Sequence, residues 1–168
     1  MNRFLSLLLL ISLAGCTRPG LEIVDYAGIL ARVASNPAQV VVMDAWSTSC
    51  EPCIKEFPNL VALHRKYPGQ VACISLSFDY EGLGKPEEQR EKVLAFLRSQ
   101  GATFENLMSN VASDDLYAKF KLPSIPAVFV YDQQGRLAQR FDSGSASGKG
   151  FSYRDVEAKV AELLGKGQ

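Results

Sequence analysis

Val40-Val41-Val42-Met43-Asp44-Ala45-Trp46-Ser47-Thr48-Ser49-Cys50-Glu51-Pro52-Cys53 is the stretch on which the fold turns. Its first four residues are apolar, mostly β-branched and free of Gly and Pro, which predicts a buried strand. Beyond Cys53, Ile54, Phe57, Val61 and Leu63 recur with charges between them, which predicts a helix. Two cysteines separated by two residues therefore stand where a strand ends and a helix begins. Unpaired N–H groups and the positive end of the helix dipole stabilise a thiolate at such a place. A cysteine there is a good nucleophile at neutral pH. The spacing lets the second sulfur close on the first within one turn. Cys50, nearer the loop, is the expected attacking thiolate and Cys53 the resolving thiol, with exchange through a mixed disulfide. The competing use of this spacing is a structural zinc site, which needs about four ligands. Beyond the pair the chain offers Cys73 and His64 in no suitable arrangement, so no metal is expected.

The run Trp46…Cys50-Glu51-Pro52-Cys53 resembles the active site of the thioredoxin superfamily. Its Glu-Pro pair is most similar to the membrane-anchored TlpA/ResA-like thiol-disulfide oxidoreductases. Three further positions match in order. Asp44 falls where thioredoxins carry a buried acid, and Pro58 where they kink the active-site helix. Ile125-Pro126 falls where they place a cis-proline facing the disulfide. The similarity runs from about Tyr26 to the C-terminus. It implies that Asp44 accepts the proton of Cys53, and that a cis Pro126 leaves the Ile125 backbone free to pair with an incoming peptide. Trp46, Ile125, Glu51 and Pro52 are then expected at the partner-binding surface. Relatives often carry a substrate-sensing acid in the loop after the next strand, where Asp79 and Glu81 are candidates. Two departures stand out: Ser49 replaces a Trp common before the first cysteine, and Ala127 replaces a Thr common after the proline. No cofactor is implied beyond the Cys50–Cys53 disulfide.

Working outward, Tyr26, Ile29, Leu30 and Val33 predict a helix, and Val71 to Phe78 a strand apolar on Ala72, Ile74, Leu76 and Phe78. Pro86 opens a helix with Val93, Leu94, Phe96 and Leu97 on its stripe, ended by Gly101. A short strand is expected at Asn106 to Met108. Ser113-Asp114-Asp115 is expected to cap a helix carrying Leu116, Tyr117 and Phe120. A hairpin spans Ala127 to Tyr131 and Arg136 to Phe141, and a final helix carries Val156, Val160, Leu163 and Leu164. Strands alternating with helices argue for an α/β sandwich, a central mixed sheet flanked by helices. Cys73 is expected as a buried small hydrophobe, and His64 as a solvated residue.

The composition is that of a folded domain, 47% hydrophobic and 21% charged. Lys+Arg 18 against Asp+Glu 18 gives no electrostatic case for nucleic acid. At the N-terminus, Arg3 precedes an apolar run from Phe4 to Leu13, too short to span a bilayer. The run ends in Leu13-Ala14-Gly15-Cys16, which resembles the bacterial lipobox. That resemblance implies cleavage before Cys16 and lipidation of Cys16. The expected organisation is a signal peptide over 1–15, a lipid-anchored linker over 16–25 and a thioredoxin-like domain over 26–168, in the cell envelope.

Direction is read from Glu51. A carboxylate beside Cys50 opposes the thiolate, and a less stabilised thiolate means a less oxidising disulfide. The pair is expected to reduce protein disulfides, fed by a membrane electron donor; the family resemblance suggests apocytochrome c among the substrates. The alternatives are an envelope oxidase or isomerase, and a non-catalytic thiol or metal-binding module.

Overall fold

The computed structural model describes residues 18–143 and 150–165. In chain order its elements are β1 (Glu22–Val24), α1 (Tyr26–Ala34), β2 (Val40–Trp46), α2 (Glu51–Lys66), β3 (Val71–Ser77), a 3-10 turn (Pro86–Gln89) running into α3 (Arg90–Gln100), β4 (Glu105–Ser109), α4 (Ser113–Phe120), β5 (Ala127–Tyr131), β6 (Leu137–Phe141) and α5 (Tyr153–Gly165). Among the described residues the strands form one mixed sheet in the order β1-β4-β3-β2-β5-β6. The β1–β4, β3–β4 and β2–β3 pairs are parallel, and β2–β5 and β5–β6 are antiparallel.

The alternation of side chains along β2 sorts the molecule into layers. Val40, Val42 and Trp46 point into a core shared with α2, α3 and α5. Val41, Met43 and Ala45 point the other way, against α1 and α4. Both faces are thus covered, and all seven residues of β2 are buried. A strand in that position reads as a continuous apolar run. Asp44 interrupts it, and by alternation it faces the α2 and α5 side.

Local chemistry explains most element ends. Asp25 caps α1, accepting from the Gly28 N–H at 2.7 Å. Gly101 closes α3 in the left-handed region at φ 64°, where a residue with a Cβ is disfavoured. α2 continues through Pro58. Its buried residues are Cys53, Phe57, Leu60, Val61 and Leu63; Ile54, expected on the apolar face, is exposed instead. Ser113 is the first residue of α4 and not its cap; Ala112 occupies the cap position, with no side-chain hydrogen bond.

The linker expected over 16–25 needs correction. Glu22–Val24 is a strand, paired in parallel with Leu107, Met108 and Ser109 at the sheet edge. The domain therefore begins before residue 26. What anchors this edge is not apolar periodicity but Asn106. Its Nδ2 donates to the carbonyls of Gly20 (3.1 Å), Ala102 (2.9 Å) and Phe104 (2.8 Å), while its Oδ1 accepts from the Ser75 hydroxyl at 2.8 Å. Asn106 is 4% exposed, so its loss leaves buried groups without partners. Asn106→Ala is expected to lower the unfolding free energy by about 2 kcal/mol or more, read by urea denaturation with an unchanged m-value.

Candidate active site

Cys50 is the N-cap of α2, and it stands at the C-terminal end of β2 after the short Ser47-Thr48-Ser49 connection. It is half-buried, whereas Cys53, one turn into the helix, is 2% exposed. The two are joined as a disulfide, and the Cys53 N–H donates to Cys50 Sγ at 3.3 Å. That N–H belongs to the first turn, which has no intrahelical acceptor. In the reduced protein it and the helix dipole favour charge on Cys50.

The connecting loop is held from below. Asp79, just past β3, is 7% exposed and takes the Thr48 N–H at 3.1 Å on both carboxylate oxygens. It also accepts from the Thr48 hydroxyl and, at 2.7 Å, from the Ser77 hydroxyl, and Lys92 Nζ of α3 lies 3.3 Å away. A buried carboxylate with this many donors is held in place. Of the two loop acids expected near the partner, Asp79 thus serves the loop. Glu81 instead lines a cleft of about 610 Å³ that Cys50 opens into. Ile125, Phe78, Leu83 and Tyr117 form its apolar walls, and its charged lining residues, Glu81 and Asp114, are both acidic.

The antiparallel register brings the second wall into place. Ala45 pairs with Ala127, so the residues before Ala127 lie level with the residues after Ala45. The Ile125–Pro126 peptide there is cis, as expected. Ile125 and Cys50 line the same cleft from elements 75 positions apart. Glu51 and Pro52 are exposed in the first turn of α2, and Glu51 is paired with Lys55 Nζ at 2.8 Å.

Trp46 does not belong to that surface. It is fully buried, with its ring 5.0 Å from Phe57 and 4.6 Å from Phe96 between centroids. As the last residue of β2 it alternates onto the helix-covered face. Its role is core packing, contrary to the expected partner contact. His64 is likewise not solvated: it is half-buried edge-on to Phe104, and burial, followed by the nearby Arg65 charge, pulls its imidazole below the ordinary value.

Asp44 stands in β2 six positions before Cys50, by alternation on the α2 and α5 side of the sheet. It is 3% exposed, its Oδ2 accepts from the Tyr153 hydroxyl of α5, and its Oδ1 has no hydrogen-bond partner among the described residues. Burial pushes the carboxyl up to about 7; the Tyr153 hydrogen bond works against that, and the Glu56 charge adds to it. Tyr153, missed in the sequence, carries no motif that would have marked it. Cys73 occupies the neighbouring strand, 2% exposed, with its Sγ 3.8 Å from the Leu60 carbonyl. Burial, then the Asp44 charge, pushes its thiol up to about 12, so it stays protonated at neutral pH. Cys16 lies outside the described residues. Among the described residues no cluster of potential metal ligands occurs.

The thioredoxin-like family matches residues 37–137 of this chain. Thioredoxin-like protein YneN of Bacillus subtilis is 22% identical over 121 residues, 72% of this chain and 66% of that protein. The thiol-disulfide oxidoreductase ResA of Geobacillus kaustophilus is 25% identical over 126 residues, 74% and 67% of the two chains. The match therefore spans about two thirds of these relatives' length. A secreted Mycobacterium tuberculosis disulfide oxidoreductase homologous to E. coli DsbE superposes with a TM-score of 0.55 at 19% identity, over 74% of this chain and 81% of that one. A Corynebacterium glutamicum thiol-disulfide isomerase gives 0.59 at 20% identity, over 76% and 81%. At these identities the solved structures establish the fold.

The Asp44 carboxyl has a direct consequence for stability. Its folded-state value of about 7 lies above the ordinary 3.8, so between those pH values the folded protein binds the extra proton. The stability it contributes is full below about pH 4 and is lost as pH rises through 7, at up to roughly 1.4 kcal/mol per pH unit. Asp44→Asn is expected to remove that contribution, so that between about pH 5 and 7 the urea midpoint of the oxidised parent falls relative to that of the oxidised variant.

Proposed function

This chain belongs to the thioredoxin-like family and carries the cysteine pair of a thiol-disulfide oxidoreductase, and we propose that it reduces disulfides of protein partners in the bacterial envelope. The observation that carries the reading is the Cys50–Cys53 disulfide at the start of α2, with Cys50 facing a cleft whose opposite wall is Ile125.

In the forward reaction the Cys50 thiolate attacks one sulfur of the partner's disulfide. A Cys50–partner bond forms and the partner's other sulfur leaves as a thiolate. Cys53 then yields its proton to Asp44, and its sulfur attacks Cys50 Sγ. The Cys50–Cys53 bond closes and the partner's second sulfur departs. Two electrons have passed to the partner, and its thiolates take up protons from solvent. The pair is left oxidised, and a dithiol donor must reset it; a membrane protein is the proposed donor. Apocytochrome c, with its cysteine pair, is a substrate of the right chemistry.

Charge supports the reducing direction. Glu51 next to Cys50, partly offset by Lys55, opposes a negative charge at the Cys50 sulfur. Envelope location is supported by the apolar run before Leu13-Ala14-Gly15-Cys16, by the description of the M. tuberculosis relative as secreted, and by the stability of disulfides outside the cytosol. Among the described residues no helix is long and apolar enough to cross a membrane; the proposed anchor is a lipid on Cys16, supported by the Leu13-Ala14-Gly15-Cys16 sequence. Lipidation on two or more chains gives stable attachment.

The test is the reduction potential of the pair, by dithiothreitol or glutathione titration. A value near about −270 mV fits a reductant, and one near about −120 mV makes the protein an oxidant instead. Cys53→Ser is expected to accumulate a mixed disulfide with partners through Cys50, and Cys50→Ser to abolish insulin reduction. For the anchor, Cys16→Ser is expected to move the protein from the membrane to the soluble fraction of cells expressing the full chain. An unchanged distribution would refute lipid anchoring at Cys16.

A further inference from the structure

Asp44 is buried on a covered sheet face, and the group that meets its carboxylate comes from the far end of the chain. Tyr153 opens α5, and its ring lies in the same core as Val42, Trp46, Cys53 and Phe57. Its hydroxyl donates to Asp44 Oδ2, 109 residues away in sequence. The other groups around the carboxylate offer it nothing. From α2 comes Glu56, three residues after Cys53, whose charge opposes ionisation of Asp44. From β3 come Ser75, in register with Asp44 but with its hydroxyl donated to Asn106 Oδ1, and Cys73, a neutral thiol at physiological pH that contacts Leu60. β5 presents Val128 in register with Asp44. Among the described residues, Tyr153 is the side chain that favours the ionised acid.

We propose that Tyr153 is a positioning residue for the resolving step, holding Asp44 by Oδ2 so that Oδ1 is left open to take the proton of Cys53. The proposal rests on the reading of Asp44 as that proton's acceptor. The proton passes from Cys53 Sγ to Asp44 Oδ1. The electron pair left on Cys53 Sγ forms the bond to Cys50 Sγ, and the bond from Cys50 to the partner sulfur breaks, with that sulfur leaving as a thiolate. A hydrogen bond donated to the carboxylate stabilises the state that accepts the proton. It offsets part of the desolvation that holds Asp44 near neutrality. Without the hydroxyl, Asp44 stays protonated over more of the physiological range and accepts less readily.

Tyr153→Phe keeps the ring and removes the hydroxyl alone. The reduced protein is mixed with 5,5′-dithiobis(2-nitrobenzoate). Cys50 releases one thionitrobenzoate on attack, and Cys53 releases the second in an intramolecular phase whose rate is followed against pH. Asp44→Asn is expected to erase the limb of that profile near pH 7. Tyr153→Phe is expected to move it upward by about one to two pH units and to slow the second phase about tenfold at pH 7. 3,5-Difluorotyrosine placed at 153 keeps the hydroxyl and makes it a stronger donor, so the limb is expected to move downward; this arm decides the matter if the Phe variant does not fold. Carbon-13 NMR of the Asp44 carboxyl in the oxidised protein reads the same shifts without turnover. A limb that Asp44→Asn erases but neither change at 153 moves overturns the role of Tyr153 and leaves that of Asp44 standing. A limb that survives Asp44→Asn overturns both.

Discussion

Burial of β2 on both faces is the constraint on which the rest depends. Each of its seven residues is covered, by α2, α3 and α5 on one side and by α1 and α4 on the other. A strand so enclosed meets solvent only at its ends. Its C-terminal end is where the chain turns through Ser47-Thr48-Ser49 into α2, and where the neighbouring antiparallel strand β5 starts. Cys50, the cis Ile125–Pro126 peptide and the cleft between them therefore share one edge of the sheet. Cys50 is half-buried and opens into the cleft because β2 has ended four residues before it.

The same enclosure gives the polar groups near β2 their weight. A carboxylate in a covered sheet face is costly unless donors meet it or it takes up a proton. Asp79 and Asp44 take the two different routes. Asp79 gathers Thr48, Ser77 and Lys92 around it and serves as a fixed anchor for the loop before Cys50. Among the described residues Asp44 has one donor, Tyr153, and an open oxygen, and burial keeps its carboxyl near neutrality. One acid is satisfied and the other is poised. Two carboxylates within one site are thereby assigned different work by their surroundings.

Aromatic packing links this chemistry to the core. Trp46 ends β2 against Phe57 of α2 and against Phe96 of α3. These rings seat the first turns of α2 on the strand that precedes it. The half-buried His64 continues the cluster through Phe104. The orientation of Cys53 toward the core, and of Cys50 away from it, follows from how α2 is seated.

Local sequence determined a good deal. The strand at Val40–Trp46, the helix after it, the cysteine pair at their junction, the hairpin and the left-handed stop at Gly101 are all consequences of residues within a few positions of one another. Pattern, spacing and turn chemistry are short-range, so they can be read along the chain. The polar partners could not be read in that way. Thr48 meets Asp79 across 31 residues and Asp44 meets Tyr153 across 109, and no periodicity relates such pairs. Nor does Trp46 announce its burial, because an aromatic at the end of a strand next to a reactive loop is equally suited to contact a partner. The edge strand Glu22–Val24 escaped for a related reason: three residues carry too little pattern, and it is held by pairing with β4 and by Asn106 reaching Gly20. Sequence alone determined where the cysteine pair sits and on what scaffold. Tertiary structure decided which acid is anchored by donors, which is left with an open oxygen and which residues line the cleft, because burial and hydrogen bonding between distant segments exist only once the layers have closed.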